Sequence, residues 1–257
     1  MWIGQGRCGL CGHVGEYVRT EAPTRESHEC AACHASLRYR QQAAALTASY
    51  GMPEATLAEL VDEPSVRVLA IFEPGIIGPF RRLLRDLPHY QNSYFWPDVA
   101  LGDQRDGVRC EDLRHLTLPD SSVDLVISSD IFEHVRGPMP AFAELYRVLK
   151  PGGRHVFTVP LRWPLPGTTV PRVDYSGPDD VLLLPPEYHG SPVDPRGSLV
   201  YTDFGMDLPE QLRELGYDTV THHGYRNAIT FAARKPTGAP AAGPSCAQLP
   251  AGTGPAS

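Results

Sequence analysis

Four cysteines fall in two pairs, Cys8-x2-Cys11 and Cys30-x2-Cys33, near the start of this 257-residue chain. Each pair spans a tight turn that aims two sulfurs at one point, and two such turns supply the four thiolates of a tetrahedral zinc site. About 18 residues separate the pairs, a spacing within the range of such sites. Four protein ligands leave no open position, so the expected ion is a structural Zn2+. It stands in for the core that about 40 residues cannot build alone. Gly9, Gly12 and Ala31 suit the turns. His13, His28 and His34 read as exposed turn residues, with His28 an alternative to one cysteine. Cys110 and Cys246 read as free thiols.

The rest of the chain alternates short apolar runs with amphipathic stretches. Residues 41–62 read as helix, broken near Gly51 and Pro53. Residues 66–72 (VRVLAIF) read as a buried strand, followed by Glu73-Pro74-Gly75 and Gly78. Phe80, Leu83, Leu84 and Leu87 then recur at helical spacing. Residues 93–96 and 123–128 read as two further strands, the first ending at Pro97-Asp98. Residues 139–149 carry the apolar stripe of a helix, closed by Lys150-Pro151-Gly152-Gly153, and 154–159 form a fourth strand. A helix at 208–215 and strand-like runs at 219–222 and 228–232 complete the pattern. Strands alternating with helices imply βαβ units: an α/β fold, its sheet mostly parallel and covered by helices on both faces. Right-handed crossovers bring the loops after the strands to one edge, where a ligand sits.

Composition narrows the function classes. A hydrophobic content of 42% and a charged content of 21% fit a globular protein. A formal charge of -7 speaks against nucleic acid as the main partner, because phosphate binding draws on clustered Lys and Arg. No run approaches the ~20 apolar residues that cross a bilayer. The first residues lack the basic and apolar segments of a signal peptide, so a cytoplasmic protein with reduced thiols is expected.

Three segments carry a family resemblance. Residues 112–126 (DLRHLTLPDSSVDLV), 128–135 (SSDIFEHV) and 145–153 (LYRVLKPGG) resemble, in order and spacing, class I S-adenosylmethionine-dependent methyltransferases of the type 11 kind. With residues 66–80 the likeness covers about 90 to 100 residues. The paired cysteines followed by Ser36-Leu37-Arg38-Tyr39-Arg40 also resemble a subgroup with a zinc-ribbon-like head. The resemblance implies a Rossmann-like fold and S-adenosyl-L-methionine as cofactor. It places Glu73, Gly75 and Gly78 in the first loop, Asp98 at the ribose diol, Asp112 and Leu113 at the adenine, and Ser129 and Asp130 near the sulfonium. The first loop departs from the family pattern: the acid expected near Ala70 is missing and bulky or rigid residues replace two glycines. Glu73 is the residue placed to take over that acid's role.

The implied division is a four-cysteine zinc knob at 1–40, a linking helix region at 41–63, the methyltransferase domain at 64–235 with a substrate insertion at about 161–205, and a disordered tail at 236–257. His134 and His189 are the candidate general bases, since imidazole titrates near neutrality. His134 has a plainer alternative, a hydrogen bond at a helix start. The expected partner is a small-molecule acceptor, taken at O, N or C, by analogy in specialised metabolism. Two other readings stay open: a methyltransferase-fold enzyme of non-methylating chemistry such as cyclisation, and a non-catalytic binding protein docked through its zinc knob.

Overall fold

The computed structural model describes residues 4–238. From 239 on, the expected tail lies outside the described residues, as does Cys246. Strands β1 (Gln5–Arg7), β2 (Val14–Val18) and β3 (Glu29–Cys30) form a small antiparallel sheet. Helices α1 (Leu37–Ser49) and α2 (Leu57–Asp62) and the single turn α3 (Pro64–Arg67) lead to β4 (Ile71–Pro74). Then come α4 (Phe80–Leu84), β5 (Tyr90–Tyr94), β6 (Gln104–Arg105), β7 (Val108–Cys110), β8 (Val123–Ser129), α5 (Pro138–Val148) and β9 (Leu149–Thr158). Six two-residue strands follow: β10 (Val170–Pro171), β11 (Val173–Asp174), β12 (Val181–Leu182), β13 (Tyr188–His189), β14 (Ser198–Leu199) and β15 (Thr202–Asp203). They pair as β10-β15, β11-β12 and β13-β14. Last come α6 (Leu208–Glu214), β16 (Asp218–His222) and β17 (Thr230–Arg234).

One eight-stranded sheet runs β16-β17-β9-β8-β4-β5-β7-β6. Its middle, from β9 to β7, is parallel, and β17, β16 and β6 join antiparallel at the edges. This is the expected Rossmann-like, mostly parallel α/β architecture. Alternation along the strands builds two cores. Phe72, Val126, Phe157 and Phe231 face α5 and α6, where Phe142, Leu145, Leu208 and Leu212 are buried. Ile71, Leu125, Ile127, Val156 and Ala232 face the other way, against Leu46, Leu60 and Phe80 of α1, α2 and α4.

The second core also contains Cys8, Leu10, Tyr17 and Cys30. The four-cysteine segment is therefore built into the sheet's outer layer and is no separate knob on a linker. Helix α1 starts at Leu37, inside the segment expected to be knob, and buried Gln42 donates to the backbone oxygens of Ser128 (2.8 Å) and Val156 (3.2 Å). A polar side chain is tolerated there because it bonds the ends of two neighbouring strands.

Several strand boundaries move: the strand expected at 154–159 spans 149–158 and takes in the Lys150–Gly153 run, and the run expected at 228–232 lies at 230–234. The strand expected at 66–72 begins only at Ile71; Pro64 starts a helical turn, where its fixed φ and missing N–H cost nothing, and Val68 stays exposed. The strand expected at 93–96 occupies 90–94, because Tyr90 pairs with Ile71 in register, and Trp96 leaves the sheet to pack with Val108 and Cys110. Among the described residues no helix is long and apolar enough to cross a membrane.

Candidate functional site

The two cysteine turns have the same construction. Gly12 N–H donates to the Cys8 carbonyl at 2.9 Å, and His34 N–H to the Cys30 carbonyl at 2.9 Å. Cys8 and Cys30 in turn donate to the carbonyls of His13 (2.8 Å) and Ala35 (3.0 Å). Gly12 and His34 both take a positive φ, 80° and 59°, so His34 serves the turn. The Sγ atoms of Cys8 and Cys33 are 3.7 Å apart, as are those of Cys11 and Cys30. That is far beyond a disulfide, ~2.05 Å. It matches the ~3.8 Å edge of a sulfur tetrahedron around one ion at ~2.3 Å. The donor set fits zinc, and no histidine is needed to complete it.

At the carboxyl edge of the main sheet a cavity of about 1070 Å³ opens. The loops after β4, β5, β7 and β8 form its floor, and the insertion between β9 and α6 forms one wall. Glu73, Gly75, Asp112, Leu113, Ser129, Asp130, His134 and His189 all line it. Gly75 sits at φ 120°, a conformation that favours glycine where the chain turns off β4. Glu73 accepts a 2.6 Å hydrogen bond from the Tyr90 hydroxyl, and burial pushes its carboxyl up to about 7. Asp112 is held by Arg114 at 2.6 Å; burial works to raise it, but the guanidinium prevails and keeps it low.

Two expected cofactor residues fall elsewhere. Asp98 does not line the cavity: it is exposed and paired with Arg105 at 2.6 Å, because β5 ends at Tyr94 and the chain has turned away before reaching it. The β5 tip offers Ser93, Tyr94 and Phe95 and no carboxylate. Gly78 also lies off the lining, behind Tyr39, whose hydroxyl would stand 3.5 Å from a Cβ at that position.

Asp130 is the most heavily engaged residue of the floor. Arg25 grips it with two nitrogens, at 2.5 and 2.6 Å, Arg38 lies at 3.2 Å, and Thr158 donates at 2.8 Å. Burial favours its neutral form, but the two guanidiniums outweigh burial and hold it well below the carboxylate range. Glu26 pairs with Arg25 at 2.6 Å and with Arg38 at 2.8 Å, so two cations and two anions balance. Arg25 and Glu26 belong to a turn between the two cysteine pairs. The four-cysteine segment therefore forms part of the cavity wall. Sequence reasoning gave neither arginine a role, although Arg38 lies in the motif after the cysteines, because no local pattern marks a side chain whose partner is as far off as the 105 residues between Arg25 and Asp130.

The opposite wall brings His134 and His189 together, ring centroids 5.1 Å apart and planes at 88°. Fully buried Glu133 lies between them; burial pushes its carboxyl up, and the carboxylate beside His189 pushes that imidazole up. The 133–135 stretch was visible as a motif, but Glu133 had drawn no role.

The central segment matches a family model described as "Methyltransferase domain" over residues 97–157. The likeness to that family is thus confined to the middle of the chain. The match ends within β9 and covers the cavity floor from β7 to β8. A malonyl-[acyl-carrier protein] O-methyltransferase from Marinomonas sp. is 49% identical over 49 residues, 19% of this chain and 18% of that protein. An uncharacterized 37.1 kDa protein in transposon TN4556 of Streptomyces fradiae is 35% identical over 106 residues, 41% of this chain and 26% of that one. The chain thus spans about a quarter or less of the curated relatives it matches. Among solved structures, an S-adenosylmethionine-dependent methyltransferase from Mesorhizobium loti superposes with a TM-score of 0.45 at 19% identity, covering 75% of this chain and 98% of that one.

Proposed function

We propose that this protein transfers a methyl group from S-adenosyl-L-methionine to a small-molecule acceptor. The observation that carries the reading is the convergence of the β4, β7 and β8 tips on one cavity within a methyltransferase-type domain. S-adenosyl-L-methionine supplies an electrophilic methyl on a sulfonium. Asp112 and Leu113 are assigned to the adenine end, the Gly75 turn to close backbone approach, and Ser129 and Asp130 to the floor nearest the reacting carbon. With no carboxylate at the β5 tip, Glu73 on the neighbouring strand is the acid assigned to the ribose or amino-acid end. Its protonation near neutrality suits it to donate as well as accept. His189 and His134, on the insertion side, would align and deprotonate the acceptor.

The four cysteines are assigned a structural Zn2+, supported by the tetrahedral spacing of their sulfurs. Four metal-bound thiolates suit a reducing compartment, so cytoplasmic location is part of this reading. The bare β5 tip also favours a second reading, in which the same cavity runs a non-methylating reaction such as a cyclisation. Calorimetric titration with S-adenosyl-L-methionine, followed by mass spectrometry of candidate acceptors incubated with it, tests both. Saturable binding and a product heavier by one CH2 are expected; absence of binding overturns the methyl-transfer reading. Binding without a CH2 gain on any acceptor that the protein consumes selects the second reading.

A further inference from the structure

Glu133 presents a chemical anomaly. Its side chain is fully buried, yet neither carboxylate oxygen has a hydrogen-bond partner. A buried acid left this way is costly and calls for a partner. The Nε2 of His134 and the Nδ1 of His189 both face its Oε1, each at 3.5 Å, outside the ordinary ~2.7–3.2 Å of a hydrogen bond. One ligand atom from each of the three residues lies within 4.8 Å of the others. Around a single ion at ~2.1 Å, tetrahedral ligand atoms stand ~3.4 Å apart, close to the two separations from Glu133.

The far nitrogen of each ring is also placed. His134 Nδ1 is 2.8 Å from the Leu199 carbonyl oxygen, which only accepts, so Nδ1 carries the proton and the Nε2 lone pair turns to Glu133. His189 Nε2 faces Glu187 at 3.5 Å, and Glu187 is held by Arg162 at 2.5 Å. The Leu199 carbonyl behind His134 is the kind of outer-shell acceptor that orients a metal-bound histidine, while Glu187 faces His189 from beyond hydrogen-bond range.

We propose that Glu133, His134 and His189 bind a divalent transition-metal ion of the Zn2+ class in the cavity wall, apart from the four-cysteine site. Two imidazoles and one carboxylate suit Zn2+, Co2+ or Fe2+ better than Mg2+ or Ca2+. Three protein ligands leave a coordination position open, and all three residues line the cavity. Resting on the methyl-transfer reading, that position would take an oxygen donor of the acceptor, a hydroxyl or carboxylate. The histidines would then be ligands in the loaded protein and not bases: the ion would make an acceptor hydroxyl acidic enough to lose its proton to solvent, and the oxygen would take the methyl as the S–CH3 bond breaks and S-adenosylhomocysteine leaves.

The test is Co2+ titration of the full-length protein, followed by calorimetry and by visible absorption. Cobalt bound by thiolates shows sulfur-to-metal charge transfer, and cobalt on imidazole and carboxylate does not, so the two sites are read separately. The expected result is a binding event without charge transfer that weakens about 100-fold or disappears in Glu133→Gln and in His189→Ala. His189 is half-buried on the insertion, so His189→Ala carries the test even where Glu133→Gln fails to fold. If the wild type shows no such event, or His189→Ala retains it at equal affinity, the proposal is overturned. Titration with S-adenosyl-L-methionine on the same samples separates the two claims, since metal binding without cofactor binding sinks only the methyl-transfer reading.

Discussion

At the scale of single residues, the cavity holds charges where a sheet edge would ordinarily hold neutral groups. Arg25 and Arg38 keep Asp130 ionised in a buried place. Arg25→Ala leaves that carboxylate with Arg38, at 3.2 Å, as its one remaining cation, and breaking such a pair is expected to cost about 3 kcal/mol, measured by urea denaturation. An unchanged midpoint would show the pair to be dispensable. Glu73 acts in the opposite sense. Its carboxyl titrates at 4.5 when free and at about 7 in the fold, through burial. Between those values the native state keeps a proton that the unfolded state has lost, so stability falls as pH rises across the window. The full span is worth about 3 kcal/mol. Glu73→Gln keeps an acceptor for Tyr90 but cannot ionise; melting curves at about pH 5 and about pH 8 should differ less in the variant than in the wild type.

At the scale of elements, the insertion after β9 is tied down by a network of ion pairs. Buried Arg172 bonds Asp203 at 2.7 Å and the Pro185 carbonyl at 2.6 Å, with Glu187 at 3.3 Å; Arg162 bridges Glu187 and Asp203 from outside. Val181, Leu182 and Leu183 are meanwhile exposed. Arg172→Ala should loosen this element alone: limited proteolysis within 161–205 is expected about 10-fold faster, with α5 and β8 as resistant as before. Equal cleavage rates would mean that the short strand pairings suffice. The cysteine turns behave differently, because Cys8 and Cys30 share a core with Ile71 and Leu125 of the central strands. Cys8→Ser should lower the melting temperature of the whole protein in one transition, followed by circular dichroism. Two separate transitions would indicate an independent knob.

At the scale of the whole molecule, the N-terminal layer, the sheet and the insertion meet at one cavity, each contributing charged side chains to it. Much of this architecture was legible in the residues. The two cysteine pairs announced their convergence because ligand spacing within a turn is local. Strand β8 and helix α5 were legible because burial on both strand faces, and a stripe at helical period, are local patterns. The helix end at Val148 followed from the Lys-Pro-Gly-Gly run. Asp98 misled for the complementary reason: strand ends depend on register with a neighbour, and β5 stops four residues short of it. The grip of Arg25 on Asp130 and the meeting of His134 and His189 around Glu133 have no local signature at all. Only the order of strands in the sheet, and the way the insertion folds back over their tips, decides which distant side chains become neighbours. Short-range pattern thus set the elements and the cysteine turns, and long-range packing chose the chemistry of the cavity.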